Sequence, residues 1–359
     1  MNHQERFSRV FDFQEVDRVP DFEFGYWKET INRWHQEGLP TEKQTHRAIE
    51  LHLNLEGWES VAKLPIRSGL WPPLPERILE EGAGRVTIDD GMGGIQLQTI
   101  ETSSPPHYLR YPLATREDWV RLKPFFNPET IGRFPLNWEE ITASYRDSGE
   151  LVGIEVGSLF GWLRNWMGIR NISVAFYRDP DWIAEMMDTL TNLWIQLIRR
   201  ALSAVKVHFA TWWEDMCYSY GPILSVKLFE EYMVPRYKQV TQVLKDYGVT
   251  INILDCDGDI SELVPGWLEA GINCMFPCEA RYTDIFQLRE KYGQKILLMG
   301  GVNKLALIAG DSGIDDELKR LSPLLEMGGY IPTVDHRCPP EISYTTYLRY
   351  LDKKRTWIS

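Results

Sequence analysis

The sequence predicts an α/β fold, a TIM (β/α)8 barrel with an N-terminal β-hairpin insertion, on three observations. Strand-like and helix-like stretches alternate through the C-terminal half at roughly 25- to 35-residue intervals, and such alternation calls for parallel strands returned by crossover helices. Eight strand candidates occur along the chain, the number that closes such a barrel. No GxGxxG follows any of them and no GxxxxGK occurs, which argues against the competing doubly wound sheet with its phosphate-binding turn. The chain of 359 residues is read as one domain, residues 1–359, because no linker or low-complexity stretch divides it.

The elements follow in order. "VPDFEFG" and "WESVAKLP" supply the first two strand candidates. "GRVTIDDGMGGIQLQTI", residues 84–100, alternates as a hairpin turning at "DDGMGG" and forms the insertion. "ELVGIEVG" precedes a helical stretch running to about residue 205, and "VKVHFATW" precedes the helix of "SVKLFEEYMVPRYKQVTQVLKDYG". "VTINIL" is the next strand, after which Asp259 and Glu262 have the spacing of a capping box opening a helix. "INCMF" leads to the helix "TDIFQLREKYG", stopped by Gly293. "KILLM" and "GYIP" are the last strands, with helices around "DDELKRLSPLLEMG" and "EISYTTYLRYLDKKR".

Composition narrows the function. The chain is 43% hydrophobic and 25% charged, with a formal charge of −12 and no Lys/Arg-rich run, so the electrostatic footprint of a nucleic-acid binder is missing. No apolar run approaches the roughly 20 residues of a membrane helix, and the first residues carry no apolar stretch of signal-peptide length. A cytoplasmic location and no membrane partner are expected. Five cysteines at irregular spacing argue for reduced thiols rather than a disulfide framework.

Active sites of such barrels lie at the C-terminal ends of the strands, and here those ends are acidic. Glu23 follows "VPDF", Glu214 and Asp215 follow "VHFATWW", Asp255 and Asp257 follow "INIL", Glu279 follows "INCMFPC", and Asp335 and His336 follow "GYIPTV". Strand periodicity puts Asp255 and Asp257 on one side and turns Cys256 away as a buried thiol. Carboxylates gathered at one mouth must hold a metal, hold a cationic ligand, share protons, or be held by Arg and Lys. Arg281, Lys304 and Arg337 are nearby candidates for the last option. Asp255, Asp257, Glu214, Asp215, Glu279 and His336 are therefore the expected catalytic group, with Asp255, Asp257 and His336 the expected ligands of a divalent metal, zinc or another. Among 14 Trp, Trp27, Trp162 and Trp212 lie at or just after strand ends; with Glu23 and Asp335 they are the expected substrate-binding wall. Aromatic walls beside carboxylates also suit a quaternary-amine methyl donor.

The stretches "QERFSRVFDFQEVDRVPDFEFG", "WEDMCYSYGPILSVKLFEEYMVPRYKQV" and "GGYIPTVDHRCPPEISYTTYLRYL" together resemble the uroporphyrinogen decarboxylase superfamily over nearly the whole chain. The resemblance implies either decarboxylation or, in the corrinoid-dependent branch, movement of a methyl group between a corrinoid protein and a thiol. Two departures bear on the choice. The decarboxylases hold substrate carboxylates with an arginine-containing RQAGR stretch, whereas the matching region here reads "DFEFGYW". The thiol methyltransferases hold zinc with H-x-C-G and a later Cys, whereas alignment on Gly258 places Asp255-Cys256-Asp257-Gly258 there, and either His336 or Cys338 falls near the third ligand position. The expectation is a methyltransferase-like enzyme with an acidic, aromatic mouth. Its corrinoid is supplied by a partner protein or as substrate, together with a small-molecule methyl donor or acceptor. The alternatives are a decarboxylase-like lyase on a smaller substrate and a non-catalytic corrinoid or tetrapyrrole carrier.

Overall fold

Apolar runs buried on both faces, such as Phe209–Trp213 and Ile251–Asp255, pair as parallel strands because helices cover the outside of the sheet. The computed structural model describes residues 1–100, 106–146 and 148–359. In chain order the strands are β1 (Ala62–Lys63), β2 (Arg77–Gly82), β3 (Arg85–Asp89), β4 (Ile95–Thr99), β5 (His107–Arg110), β6 (Val152–Gly157), β7 (Phe209–Trp213), β8 (Cys217–Tyr218), β9 (Gly221–Pro222), β10 (Ile251–Asp255), β11 (Cys274–Phe276), β12 (Leu297–Met299) and β13 (Tyr330–Ile331). Seven of these form one parallel sheet in the order β1-β6-β7-β10-β11-β12-β13. Among the described residues no helix is long and apolar enough to cross a membrane.

The expected hairpin has a larger form. β3 and β4 pair antiparallel around "DDGMGG", where Asp90 Oδ1 accepts from the N–H groups of Met92 (2.9 Å) and Gly94 (2.7 Å). They are the middle pair of a four-stranded sheet, because β2 and β5 add to the two edges. Residues 101–105 lie outside the described residues. The helix after β10 also departs from expectation: it runs Val264–Glu269, with Pro265 in its first turn. Asp259 is not its cap, since the carboxylate accepts from Ser261 N–H (3.1 Å) in a local turn.

Two apolar clusters divide the sheet by strand parity. Phe209, Ile251, Ile253, Cys274, Phe276 and Met299 fill the inner face, whereas Trp212, Leu254, Met275 and Leu298 pack outward against helices. The helix His3–Phe11 joins the inner cluster through Phe7, whose ring lies 5.4 Å from Phe209. It closes the end of the sheet opposite the strand C-termini.

The eighth strand position is irregular. Only Tyr26, bridged in parallel to Cys338, pairs as β-structure there. Pro20 lacks a donor, and the N–H of Val334 is taken by the Glu23 side chain (3.2 Å) rather than by a backbone carbonyl. The segment is nevertheless tied on both sides, by Gly57 N–H to Asp21 O (3.3 Å) and by Cys338 N–H to Gly25 O (2.9 Å). Phe22 and Phe24 turn inward with the inner cluster while Asp21 and Glu23 turn outward onto the final helix, Tyr344–Trp357. There Lys354 Nζ lies 2.6 Å from Glu23 Oε1 and 3.2 Å from Asp21 Oδ1, and Arg355 Nε lies 2.8 Å from Asp21 Oδ2. Burial alone would discharge Lys354, but Glu23 and Asp21 outweigh it and raise the ammonium pKa.

Lys354→Met leaves two carboxylates facing each other without their ammonium. Breaking a buried pair costs about 3–5 kcal/mol, so urea unfolding of the variant is expected to show a loss of that size. A loss below about 1 kcal/mol would show that the outward-facing acids are not what ties this segment down.

Candidate active site

Strand parity delivers Asp255 to the mouth. Ile251 and Ile253 belong to the inner cluster, so Asp255, two residues on, continues the same face at the C-terminal end of β10, in register with Trp213 and Phe276. It lines a cavity of about 230 Å³ walled by the aromatic rings of Phe24, Trp58, Trp162, Trp213 and Phe276 and by the charged groups of Glu59, Lys63, Glu155 and Arg337. Burial pushes the Asp255 carboxyl well above the usual carboxylate range, with Asp257 and Asp215 adding to the shift and Arg337 and Lys63 opposing it. Asp255 is therefore the mouth carboxyl held toward its neutral form.

The other acids at the strand ends have structural partners. Both oxygens of Glu214 receive the first N–H groups of the helix Phe160–Met167: Leu159 (2.6 Å), Phe160 (2.8 Å) and Gly161 (3.3 Å), with the Ser158 hydroxyl at 2.9 Å. A carboxylate at a helix N-terminus meets both the unpaired donors and the positive end of the dipole. Burial still raises its pKa, against the pull of those hydrogen bonds. Asp215 pairs with Arg164 (2.7 Å) on the same helix. Glu279 accepts from Lys304 Nζ (3.1 Å) and from Gly258 N–H (2.9 Å), and Asp335 accepts from the N–H groups of Lys304 (3.0 Å) and Ala280 (3.0 Å). These bonds sew together the loops after β10, β11 and β12. Gly258 sits at φ +81°, and a Cβ there would fall 2.7 Å from the Tyr218 carbonyl oxygen. The turn after Asp257 requires glycine.

The geometry separates the expected residues into groups. Asp255 and Trp162 line the cavity. Trp212 is also in its wall, but its ring is buried outward against Trp194 (6.2 Å) and Tyr237 (5.5 Å) and donates to Asn252 Oδ1 (3.1 Å). Trp27 stacks on His336 (5.3 Å, 27°) at the rim. Glu23 faces the final helix, and Glu214, Glu279 and Asp335 are committed to loop and helix contacts. His336 Nε2 lies 3.5 Å from Asp257 Oδ2, and Asp257 Oδ1 is buried without a hydrogen-bond partner.

The ligand set expected for a divalent metal does not assemble. Among the described residues no group of three or more His, Cys, Asp or Glu side chains is placed to hold a metal ion. Asp257 and His336 face each other, while Asp255 faces the cavity, where Arg337 and Lys63 supply the opposing positive charge. Cys338 is buried in the bridge to Tyr26.

Sequence reasoning does not single out Lys63, Phe24, Trp58, Trp213 or Glu155 as cavity residues. For Phe24 the signal is parity: in "VPDFEFG" the phenylalanines take the inner face and the acids the outer one, the reverse of the assignment at "INILD".

The pH dependence of stability tests the Asp255 environment. Its folded-state pKa is raised above the ordinary 3.8, so the folded protein holds that proton more tightly than the unfolded chain does. Stability from this group is fully present below 3.8 and is lost as pH rises through the raised value. Asp255→Asn is expected to remove this slope and to be more stable than wild type at neutral pH in denaturant titrations. A variant that is less stable at neutral pH, with the slope unchanged, would contradict the assignment.

Comparison with known proteins agrees with this architecture. A solved methyltransferase from Methanosarcina mazei superimposes with a TM-score of 0.61 at 13% identity, over 99% of this chain and 98% of that one, which establishes likeness of fold. Residues 86–355 match the family described as uroporphyrinogen decarboxylase (URO-D), and this match covers most of the parallel sheet and the last helix. The chain belongs to the uroporphyrinogen decarboxylase family.

Proposed function

We propose that this chain is a methyltransferase-type member of its family, moving a methyl group between a small molecule in the mouth cavity and a corrinoid presented above the mouth by a partner protein. The observation that carries the reading is the pairing of one neutral-leaning carboxyl, Asp255, with a wall of aromatic rings in a small cavity at the strand C-termini. The fold likeness to a methyltransferase supports it.

Size sets what enters. At about 230 Å³ the cavity falls below the roughly 300–1,000 Å³ of pockets that enclose drug-sized ligands, so it suits a small substrate and a macrocycle would stay at the rim. When bound there, a corrinoid would supply the centre that gives or takes the methyl group. The residues of this chain supply the rest. When a methyl group leaves the oxygen of an ether or the sulfur of a thioether, that atom keeps the bonding electron pair and, left as an anion, takes a proton. The Asp255 carboxyl at the cavity wall is the group placed to donate it, and as a carboxylate it takes the proton back in the reverse direction. The aromatic wall limits water at the reacting atoms. Glu214 fixes the start of the helix that carries Trp162, and the Lys304 contacts fix the turn beyond Asp257.

Methyl transfer from methylcobalamin to thiol or tetrahydrofolate acceptors tests the reading. Asp255→Asn is expected to lower the rate by about 10²- to 10⁴-fold, the usual range for a general acid or base. In the direction that uses the protonated carboxyl, activity should fall as pH rises through the Asp255 pKa. Asp257→Asn removes a neighbouring negative charge, so this limb should move to lower pH. A bound pigment without methyl transfer would support a carrier instead. Uroporphyrinogen decarboxylation is expected to be absent, because "DFEFGYW" offers no arginine clamp and Glu23 faces away from the cavity. Coproporphyrinogen formed at a catalytic rate would overturn that expectation.

A further inference from the structure

Two cations on the cavity wall form no close ion pair among the described residues and act on the Asp255 carboxyl only at longer range. Lys63 and Arg337 both line the mouth, and among the described residues neither has a carboxylate at ion-pair distance. Each is instead propped on aromatic rings: Lys63 Nζ lies 5.0 Å from the centre of the Trp58 ring, and the Arg337 guanidinium lies 5.9 Å from the rings of both Phe24 and Trp27. Such contacts hold the charge in place and leave its N–H donors available. Among the described residues Arg337 has one close polar side-chain neighbour, His46 Nε2 at 3.5 Å. That nitrogen is 2.8 Å from the Tyr26 carbonyl oxygen, so it carries the proton donated there and cannot also accept from the guanidinium. Burial and Arg337 both lower the His46 pKa, in keeping with a neutral ring.

The remaining wall fixes the shape of the missing partner. Trp162, Trp213 and Phe276 present flat apolar surface to the same space, and about 230 Å³ is roughly eight water volumes. Glu59 and Glu155 also line the cavity, but neither reaches Lys63 or Arg337 at ion-pair distance, and Glu155 is exposed to solvent, where its field is screened. A planar, fork-shaped guanidinium beside flat rings matches a planar carboxylate on an aromatic ring better than a point charge. We propose that the mouth cavity binds a small aromatic carboxylate, its ring among the tryptophans and its carboxylate on Arg337 and Lys63.

This proposal rests on the reading that the mouth cavity is the substrate site, and its test needs no turnover. Equilibrium binding of benzoate, benzamide and the trimethylanilinium cation is measured by calorimetry and by quenching of tryptophan fluorescence. Benzoate is expected to bind roughly ten-fold or more tighter than the other two, and less tightly as salt is added. Arg337→Met and Lys63→Met, which keep the aliphatic packing, should each weaken benzoate about ten-fold or more while leaving benzamide unchanged. Arg337→Lys, which keeps the charge, should retain the preference for benzoate and guards against loss of fold in the methionine variant. Benzoate binding no tighter than benzamide, or the cation binding tighter than either, would overturn the proposal. Because binding is read directly, failure of methyl transfer would leave it standing, and failure of benzoate to bind would leave the methyltransferase reading to be judged by its own assay.

Discussion

Closure of the curled sheet depends on an ion cluster rather than on a strand. The segment at residues 20–26 has one β-bridge, yet it holds the position between the two ends of the parallel sheet because Glu23 and Asp21 reach outward to Lys354 and Arg355 on the last helix. Two carboxylates against two cations balance in charge, and Glu23 also stands in for a backbone acceptor toward Val334. What this fixes on the other side of the segment is the mouth. Phe24 meets Phe276 at 4.4 Å across the barrel, and Trp27 stacks on His336. The rings under Arg337 are thus placed by a charge cluster on the far face of the same residues.

The mouth shows how the chain's own groups make a dense set of acids tolerable. Each carboxylate has its own remedy: a helix N-terminus for Glu214, Arg164 for Asp215, Lys304 and backbone donors for Glu279 and Asp335, His336 for Asp257. Of these strand-end acids Asp255 is the one that lines the cavity, among other negative charges and with its cations at longer range. Desolvation also raises the pKa of Glu214 and Asp335, where hydrogen bonds pull it back down, whereas at Asp255 the neighbouring charges of Asp257 and Asp215 add to it. That asymmetry selects Asp255 for chemistry among residues of the same type at equivalent strand ends.

How much of this was legible in the sequence depended on whether strand parity was unambiguous. At "INILD" Asp255 stands two and four residues beyond Ile253 and Ile251 on their face, and it is found at the mouth where that periodicity puts it. At "VPDFEFG" phenylalanines alternate with acids, and a rule that keeps acids near water assigns Glu23 to the mouth. Lys354, far away in sequence, reverses that by making the outer face hospitable to charge. Glu214 was visible as an acid at a strand end, but its partners are backbone N–H groups of a helix about fifty residues earlier, which composition does not reveal. The metal expectation followed from the count of acids and His336; Arg337 was already a candidate countercharge in the sequence, whereas Lys63 was not. The alternation of strands and helices, by contrast, needed only local pattern, and it located most of the parallel strands.

The central claim is that the folded protein holds the Asp255 proton more tightly than an ordinary carboxyl holds its own. Infrared spectroscopy reads this directly, because a protonated carboxyl has a carbonyl stretch separate from the bands of ionised carboxylates. The account predicts a protonated-carboxyl band that persists to higher pH than those of ordinary carboxyls, is lost in Asp255→Asn, and titrates at lower pH in Asp257→Asn. A spectrum in which the carboxyl removed by Asp255→Asn titrates in the ordinary carboxylate range would contradict it.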